Sequence, residues 1–125
     1  MDAKPLALII EDNEDQNLVF TTAMKKAGYE TESILDGTAA MNRLTEVIPA
    51  VVILDLHVPG IDGGQILREI RKDSGTQKAN VIIVSADAAF AASLQTQADP
   101  VLLKPVSFSQ LSLLASRFIK NSETS

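Results

Sequence analysis

The chain has 125 residues, of which 46% are hydrophobic and 22% are charged, a balance typical of one globular domain with one sizeable core. Its formal net charge of -5 argues against direct nucleic-acid binding, because no basic patch is available to gather phosphates. The absence of cysteine excludes disulfides and thiolate sites, and no apolar run approaches the length of a membrane span. We therefore predict a single cytoplasmic domain over residues 1–125, with a loose polar tail at Asn121–Ser125.

In chain order, the first elements are a strand, a helix and a second strand. The run Leu6–Ile10 is apolar throughout, which is typical of a parallel strand buried on both faces. Gly28 is suited to end the helix that follows. That helix carries an apolar stripe formed by Leu18, Val19, Ala23, Met24 and Ala27. The mixed segment Thr31–Leu35 predicts a strand at the edge of the sheet.

The middle of the chain repeats this alternation. A second helix is indicated before Pro49 by Ala40, Met41, Leu44 and Val47. Val51–Leu54 predicts another buried strand. Asp62 can cap a third helix that Gly75 ends. The apolar residues of this helix are Ile66, Leu67 and Ile70.

The C-terminal part contains two further strands, Val81–Val84 and Val101–Leu103, which are predicted to be buried on both faces. The Ala-rich stretch between Ala86 and Asp99 indicates a weakly held fourth helix, anchored by Phe90 and Leu94. The last helix is clearer, because Ser107 and Gln110 have capping-box spacing. Its apolar face is formed by Leu111, Leu114, Ala115 and Phe118.

Strand and helix thus alternate five times. Right-handed crossovers then give an α/β fold, a five-stranded parallel doubly wound sheet with helices on both faces. In such sheets, ligands bind outside the carboxyl ends of the strands. Functional residues are therefore expected where the strands end.

Polar residues follow four of the predicted strands. They are Glu11 and Asp12, then Asp55, Ser85, and Lys104 with Pro105 after it. Three converging carboxylates repel one another unless a hard divalent cation or a cationic side chain shares the space. Mg²⁺ suits such oxygen ligands, and a carboxylate can itself act as a nucleophile toward phosphorus. The pattern predicts a site that accepts a phosphoryl group.

These residues resemble the receiver domain of two-component response regulators, and in particular the chemotaxis-regulator type. The likeness is carried by Leu6–Asp12, Val51–Gly63, Ser85-Ala86 and Lys104-Pro105, and it covers essentially the whole chain. It implies a flavodoxin-like sheet with strand order 2-1-3-4-5.

The resemblance also implies a role for each residue of the set. Asp55 would be the phosphoryl acceptor, with Mg²⁺ held by Asp55, Asp12, Glu11 and the backbone carbonyl of His57. Ser85 would be the switch hydroxyl, and Lys104 would pair with the acceptor and then with the phosphoryl group. The bond before Pro105 would often be cis. The loop after the acceptor would be shaped by Pro59, Asp62 and Gly63.

The implied function is phosphoryl transfer from a phosphohistidine on a histidine kinase or phosphotransfer protein to Asp55. The modified domain would then present a changed surface to a downstream protein or output domain in a phosphorelay. Such a domain is regulatory, with self-phosphorylation and self-dephosphorylation as its only chemistry.

Three alternatives stay open. The chain could be one receiver excised from a hybrid histidine kinase or from a longer regulator. A haloacid-dehalogenase-like phosphatase also uses an aspartate and Mg²⁺, but its second aspartate would fall at His57. A degenerate receiver would only dock a partner. Residue by residue, Lys104 could be a solvated lysine and Asp55 a turn residue.

The chain departs from the family pattern on one side of the site. The aromatic residue usual three positions before the lysine is Val101, and the segment from Ser85 to Lys104 is shorter than usual. An apolar patch shared by Val101 and Leu113 is the expected partner or homodimer surface. The side chains of His57 and Asp87 are expected to flank the route of the attacking water.

Overall fold

A computed structural model describes residues 4–94 and 100–124. In these ranges, five strands alternate with five helices. The strands are β1 (Leu6–Ile10), β2 (Glu30–Ile34), β3 (Val51–Asp55), β4 (Asn80–Ser85) and β5 (Val101–Leu103). The helices are α1 (Glu14–Ala27), α2 (Gly37–Leu44), α3 (Gly63–Lys72), α4 (Ala88–Leu94) and α5 (Phe108–Thr124).

The strands form one parallel sheet in the order β2-β1-β3-β4-β5, which confirms the predicted flavodoxin-like topology. The strand predicted at Thr31–Leu35 lies at the edge as expected, one residue earlier, at Glu30–Ile34. The prediction that Val101–Leu103 is buried on both faces is wrong. This short strand has only β4 as a neighbour, and the side chain of Leu103 is 49% exposed.

Two hydrophobic layers enclose the sheet. Alternate residues of β1 point to opposite faces, so Leu8 and Ile10 join the core beneath α2 and α3. Ala7 and Ile9 join the core beneath α1 and α5. Among residues 4–94 and 100–124, no helix has both the length and the apolar character needed to cross a membrane.

The buried face of α1 differs from the predicted stripe. Asn13 caps the helix by accepting the Gln16 N–H at 2.9 Å, and Gly28 ends it in the left-handed conformation with φ of 108°. Leu18 and Val19, however, are 66% and 40% exposed. Ala23 and Met24 are buried as predicted, and Asn17 and Phe20 complete the face that packs on the sheet. A polar residue can occupy this face because its amide is hydrogen-bonded to main-chain carbonyls.

The third and fourth helices also depart from the expected pattern. Helix α3 ends at Lys72 rather than at Gly75, because the Asp73 carboxylate accepts the Gly75 N–H at 2.7 Å and forms a turn. The fourth helix is present as α4, where Phe90 is half-buried against the core. Residues 95–99, which end the Ala-rich stretch, lie outside the described residues, as does the side chain of Leu94.

The last helix confirms its predicted cap and apolar face. The Gln110 N–H donates to Ser107 Oγ at 3.0 Å. Leu111 and Ala115 are fully buried, with Leu114 and Phe118 packed beside them. The backbone of α5 continues to Thr124, into the segment expected to be a loose tail.

Candidate functional site

The carboxyl ends of the strands bring the predicted polar residues together. The ammonium of Lys104, just after β5, lies 2.9 Å from Glu11 Oε1 and 3.1 Å from Asp55 Oδ2. One carboxylate oxygen from each of Glu11, Asp12 and Asp55 lies within 4.8 Å of the others. We call these three acids and Lys104 the acidic pocket. Because β1, β3, β4 and β5 are parallel, their carboxyl ends lie at the same end of the sheet. Residues that are distant in sequence therefore meet there.

The acidic pocket holds charges that do not cancel, with three carboxylates against one ammonium. Burial raises the pKa of Glu11, since its carboxyl is almost fully enclosed and lies next to Asp55. Hydrogen bonds from Lys104 and from the Asn13 N–H oppose this rise in pKa. For Lys104, burial lowers the pKa, but contacts with Glu11 and Asp55 outweigh it and the net direction is upward. The lysine therefore remains an ammonium at neutral pH.

Asp55 is held on both carboxylate oxygens. Oδ2 accepts from Lys104, and Oδ1 accepts the backbone N–H of His57 at 3.0 Å. Asp55 is 4% exposed, so water has little access to it. The imidazole of His57 is turned toward α4, where its ring lies 5.2 Å from that of Phe90 with an interplanar angle of 41°.

Ser85 ends β4 and is fully buried. Its hydroxyl accepts the Asp87 N–H at 3.0 Å and lies 3.3 Å from the Asp87 carbonyl oxygen. The Asp87 carboxylate in turn accepts the Phe90 N–H at 3.0 Å, so it caps α4. Ser85 thus ends the strand next to the one that Asp55 ends, and its hydrogen bonds are directed to Asp87 at the start of α4.

Lys104 and the loop after Asp55 are fixed by the backbone. The Lys104 N–H donates to the Ser85 carbonyl at 2.9 Å, and the Lys104–Pro105 peptide is cis, as the resemblance implies. Gly63 starts α3 directly against Leu56, where an added Cβ would lie 2.5 Å from the Leu56 Cα. No larger residue fits there.

Pro59 and Asp62 complete this loop. The Pro59 carbonyl accepts the Gly37 N–H at 2.7 Å, which ties the loop to α2. Asp62 stands at the N-cap position of α3, but its side chain makes no cap hydrogen bond.

Val101 and Leu113, the two residues of the expected apolar patch, contact different groups of residues. Successive residues of a strand point to opposite faces, and Val101 packs on the α2 and α3 side with Phe90. Leu102 points to the other side, where it lines a groove with Leu113, Leu114, Gln110 and Arg117. Leu113 is 59% exposed.

Sequence reasoning missed one residue next to the pocket, Asn17. Its side chain is buried and donates to the Glu11 carbonyl at 2.9 Å and the Ile9 carbonyl at 3.3 Å. The sequence could have indicated this position, because Asn17 lies three residues before Phe20 and seven before Met24 and therefore on the same helix face.

Comparisons with known proteins identify the family of the chain. A family model described as the response regulator receiver domain matches residues 7–115. The phosphate regulon transcriptional regulatory protein PhoB of Rhizobium meliloti is 30% identical over 110 residues, 86% of this chain and 48% of PhoB. The DNA-binding response regulator MtrA of Mycolicibacterium paratuberculosis is 30% identical over 98 residues, 78% of this chain and 44% of MtrA. The chain therefore spans about half the length of these relatives.

Solved structures share the fold. The chemotaxis response regulator CheY4 of Vibrio cholerae superposes with a TM-score of 0.81 at 19% identity, covering 93% of this chain and 99% of that one. The receiver domain of a sensor histidine kinase from Pseudomonas aeruginosa, with a magnesium ion coordinated in its active-site cleft, gives 0.82 at 25% identity, covering 94% and 99%. With the family model matched over most of its length, the chain belongs to the response regulator receiver domain family and is a regulatory signalling domain of two-component systems.

Proposed function

We propose that Asp55 accepts a phosphoryl group from a phosphohistidine on a partner histidine kinase or phosphotransfer protein. The observation that carries this proposal is the placement of the Asp55 carboxylate. One of its oxygens bonds the Lys104 ammonium, and two further carboxylates lie within 4.8 Å. An Asp55 oxygen would form the new bond to phosphorus while the phosphorus–nitrogen bond breaks, its electron pair remaining on the donor imidazole.

The acidic pocket fits a hard divalent cation. Three carboxylates face a single ammonium, so the pocket keeps an excess of negative charge that favours a cation with oxygen ligands. We propose Mg²⁺, held by Glu11, Asp12, Asp55 and the backbone carbonyl of His57. The magnesium in the Pseudomonas aeruginosa receiver supports this choice. When bound, the ion would neutralise charge on the phosphoryl group during transfer.

Lys104 and Ser85 act on the product in this proposal. The ammonium of Lys104, already paired with Asp55, would follow the added charge onto the phosphoryl oxygens. The charge at this position would change from -1 to about -2. The Ser85 hydroxyl would then donate to the phosphoryl group and lose its hydrogen bonds to the Asp87 main chain, just before α4.

The proposed partners follow from this chemistry. The donor is a phosphohistidine protein, and the receiver of the change is a downstream protein or an output domain. A longer DNA-binding regulator and a hybrid histidine kinase are both supported as contexts, by MtrA and by the Pseudomonas aeruginosa receiver respectively. We propose that this receiver domain acts in the cytoplasm and does not itself contact nucleic acid, because its net charge of -5 opposes phosphate binding.

The test is intact mass after incubation with acetyl phosphate and Mg²⁺. We expect one added phosphoryl group in the wild-type protein and none after chelation or in Asp55→Asn. Asp62→Asn is the matched control, because this exposed aspartate makes no cap hydrogen bond and should leave the modification unchanged. A modification that persists in Asp55→Asn would contradict the assignment of the acceptor.

A further inference from the structure

The turn between β1 and α1 carries two of the three acids of the pocket and is held from inside the protein. Glu11 follows β1 directly, and Asn13 caps α1 two residues later. The Glu11 N–H donates to the Ile34 carbonyl at 3.0 Å, which ties the turn to β2. The Glu11 carbonyl points the other way and is bonded by Asn17.

Asn17 makes two hydrogen bonds to this short stretch of main chain. Its Nδ2 donates to the carbonyl of Glu11 at 2.9 Å and to that of Ile9 at 3.3 Å. These carbonyls stand on either side of Ile10, where the strand gives way to the turn. The side chain is 4% exposed, so water cannot replace it without rearrangement.

The orientation of the Asn17 amide is itself fixed. Its Oδ1 accepts the Thr21 hydroxyl at 3.1 Å, and the same hydroxyl oxygen lies 3.1 Å from Ser33 Oγ on β2. Because the amide oxygen is bonded on this side, the two N–H groups face the turn. The chain of contacts therefore runs from β2 through α1 to the main chain of Glu11.

This arrangement opposes a force that the pocket creates. Glu11 and Asp12 are held close to Asp55, and Lys104 compensates only part of the charge. Repulsion among the carboxylates favours an open turn, which would separate the cation ligands. A rigid amide that bonds the turn on its inner side keeps the ligands in place before any cation arrives.

We propose that Asn17 is a positioning residue of the acidic pocket, which sets its affinity for a divalent cation by holding the turn that bears Glu11 and Asp12. The inference rests on the proposed Mg²⁺ site. The Asn17 amide donates to main-chain carbonyls, so it acts on the acidic pocket through the backbone of the turn.

The experiment measures Mg²⁺ binding directly, by calorimetric titration of the folded protein, for wild type, Asn17→Ala and a control. The dissociation constant of Asn17→Ala should rise about 10-fold, the lower end of the usual effect for residues that orient metal ligands. The control is Met24→Ala, which weakens packing of the same buried helix face about two helical turns away. Its dissociation constant should stay within about twofold of wild type.

A second measurement serves any variant too unstable for calorimetry. Urea unfolding with and without Mg²⁺ gives the same dissociation constant from the increase in stability that the ion produces. The inference is overturned if Asn17→Ala binds like wild type, or if Met24→Ala is weakened equally. Wild type that binds no Mg²⁺ would overturn the proposed function as well, whereas Mg²⁺-dependent phosphorylation with an unchanged Asn17→Ala affinity would overturn only the role of Asn17.

Discussion

Tyr29 is the single tyrosine of the chain and joins two elements far from the acidic pocket. Its ring is buried in the core beneath α1 and α5, and its hydroxyl donates to the Ala115 carbonyl at 3.0 Å. Burial raises the pKa of the phenol to about 12 from an ordinary value of 10.0. Because burial penalises the phenolate, the folded state favours the neutral ring.

This shift predicts a loss of stability in alkali. Below pH 10 the stabilisation is complete, and it is lost as pH rises from 10 through the folded pKa of about 12. The free energy of unfolding should fall on the order of 2 kcal/mol across this window. Phenolate absorbance of the folded protein and urea unfolding against pH measure the two effects. Tyr29→Phe is the control, and an equal slope in that variant would rule out Tyr29 as the source.

Residues of the acidic pocket could be predicted from the sequence where they directly follow a strand. Asp55 and Lys104 follow apolar runs whose parallel pairing brings their ends together, so their meeting needed only the fold. Asn17 could not be found this way. Its role depends on which helix face turns inward, and the sequence favoured the face with Leu18, which is exposed.

At the scale of elements, most of the described side chains of α4 are exposed. Its residues 88, 89, 92 and 93 are exposed, and Phe90 is half-buried against the core and His57. The hydrogen bond from the Phe90 N–H to the Asp87 carboxylate is therefore expected to add to the local stability of α4.

Removing this cap should loosen α4 alone. In Asp87→Ala the local stability of α4 should fall by about 1 kcal/mol, the usual value of an N-cap. Native-state hydrogen exchange should show faster exchange for α4 amides and unchanged exchange for β4 and α5. Asp36→Ala is matched, because Asp36 caps α2 through the Ala39 N–H at 2.7 Å and should affect only α2. Unchanged α4 exchange in Asp87→Ala would mean that Phe90 packing alone holds the helix.

The bounds and the burial of an element were predictable where its own sequence determines them. They were less predictable where they depend on neighbouring elements. Helix α5 has a capping serine and an apolar stripe that agree, so its start and its buried face were both found. The sequence of strand β5 is apolar, like that of a buried strand, but the strand is partly exposed because it lies at the edge of the sheet. That place depends on the order of the whole sheet, which a three-residue run does not encode.

At the scale of the whole molecule, the groove between β5 and α5 is the surface considered for partner contacts. The groove between β5 and α5, lined by Leu102, Leu113 and Arg117 among others, has a volume of about 250 Å³ and lies on the side of α1 and α5. Val101 belongs to the opposite side with Phe90. A partner or second copy that covers the groove would contact Leu113 and not Val101.

Aspartate substitutions should therefore separate folding from association. Val101→Asp places a charge against the core and should lower the free energy of unfolding by about 1–3 kcal/mol. Leu113→Asp lies on an exposed helix face and should change it by no more than about 0.5 kcal/mol. Urea unfolding measures both changes in stability, and sedimentation of the phosphorylated protein measures association.

If self-association uses the groove, Leu113→Asp should weaken it while Leu113→Ala, which adds no charge, weakens it less. Equal destabilisation by both aspartates would contradict the opposite placement of the two residues, and unchanged association in Leu113→Asp would remove the groove as the contact between copies.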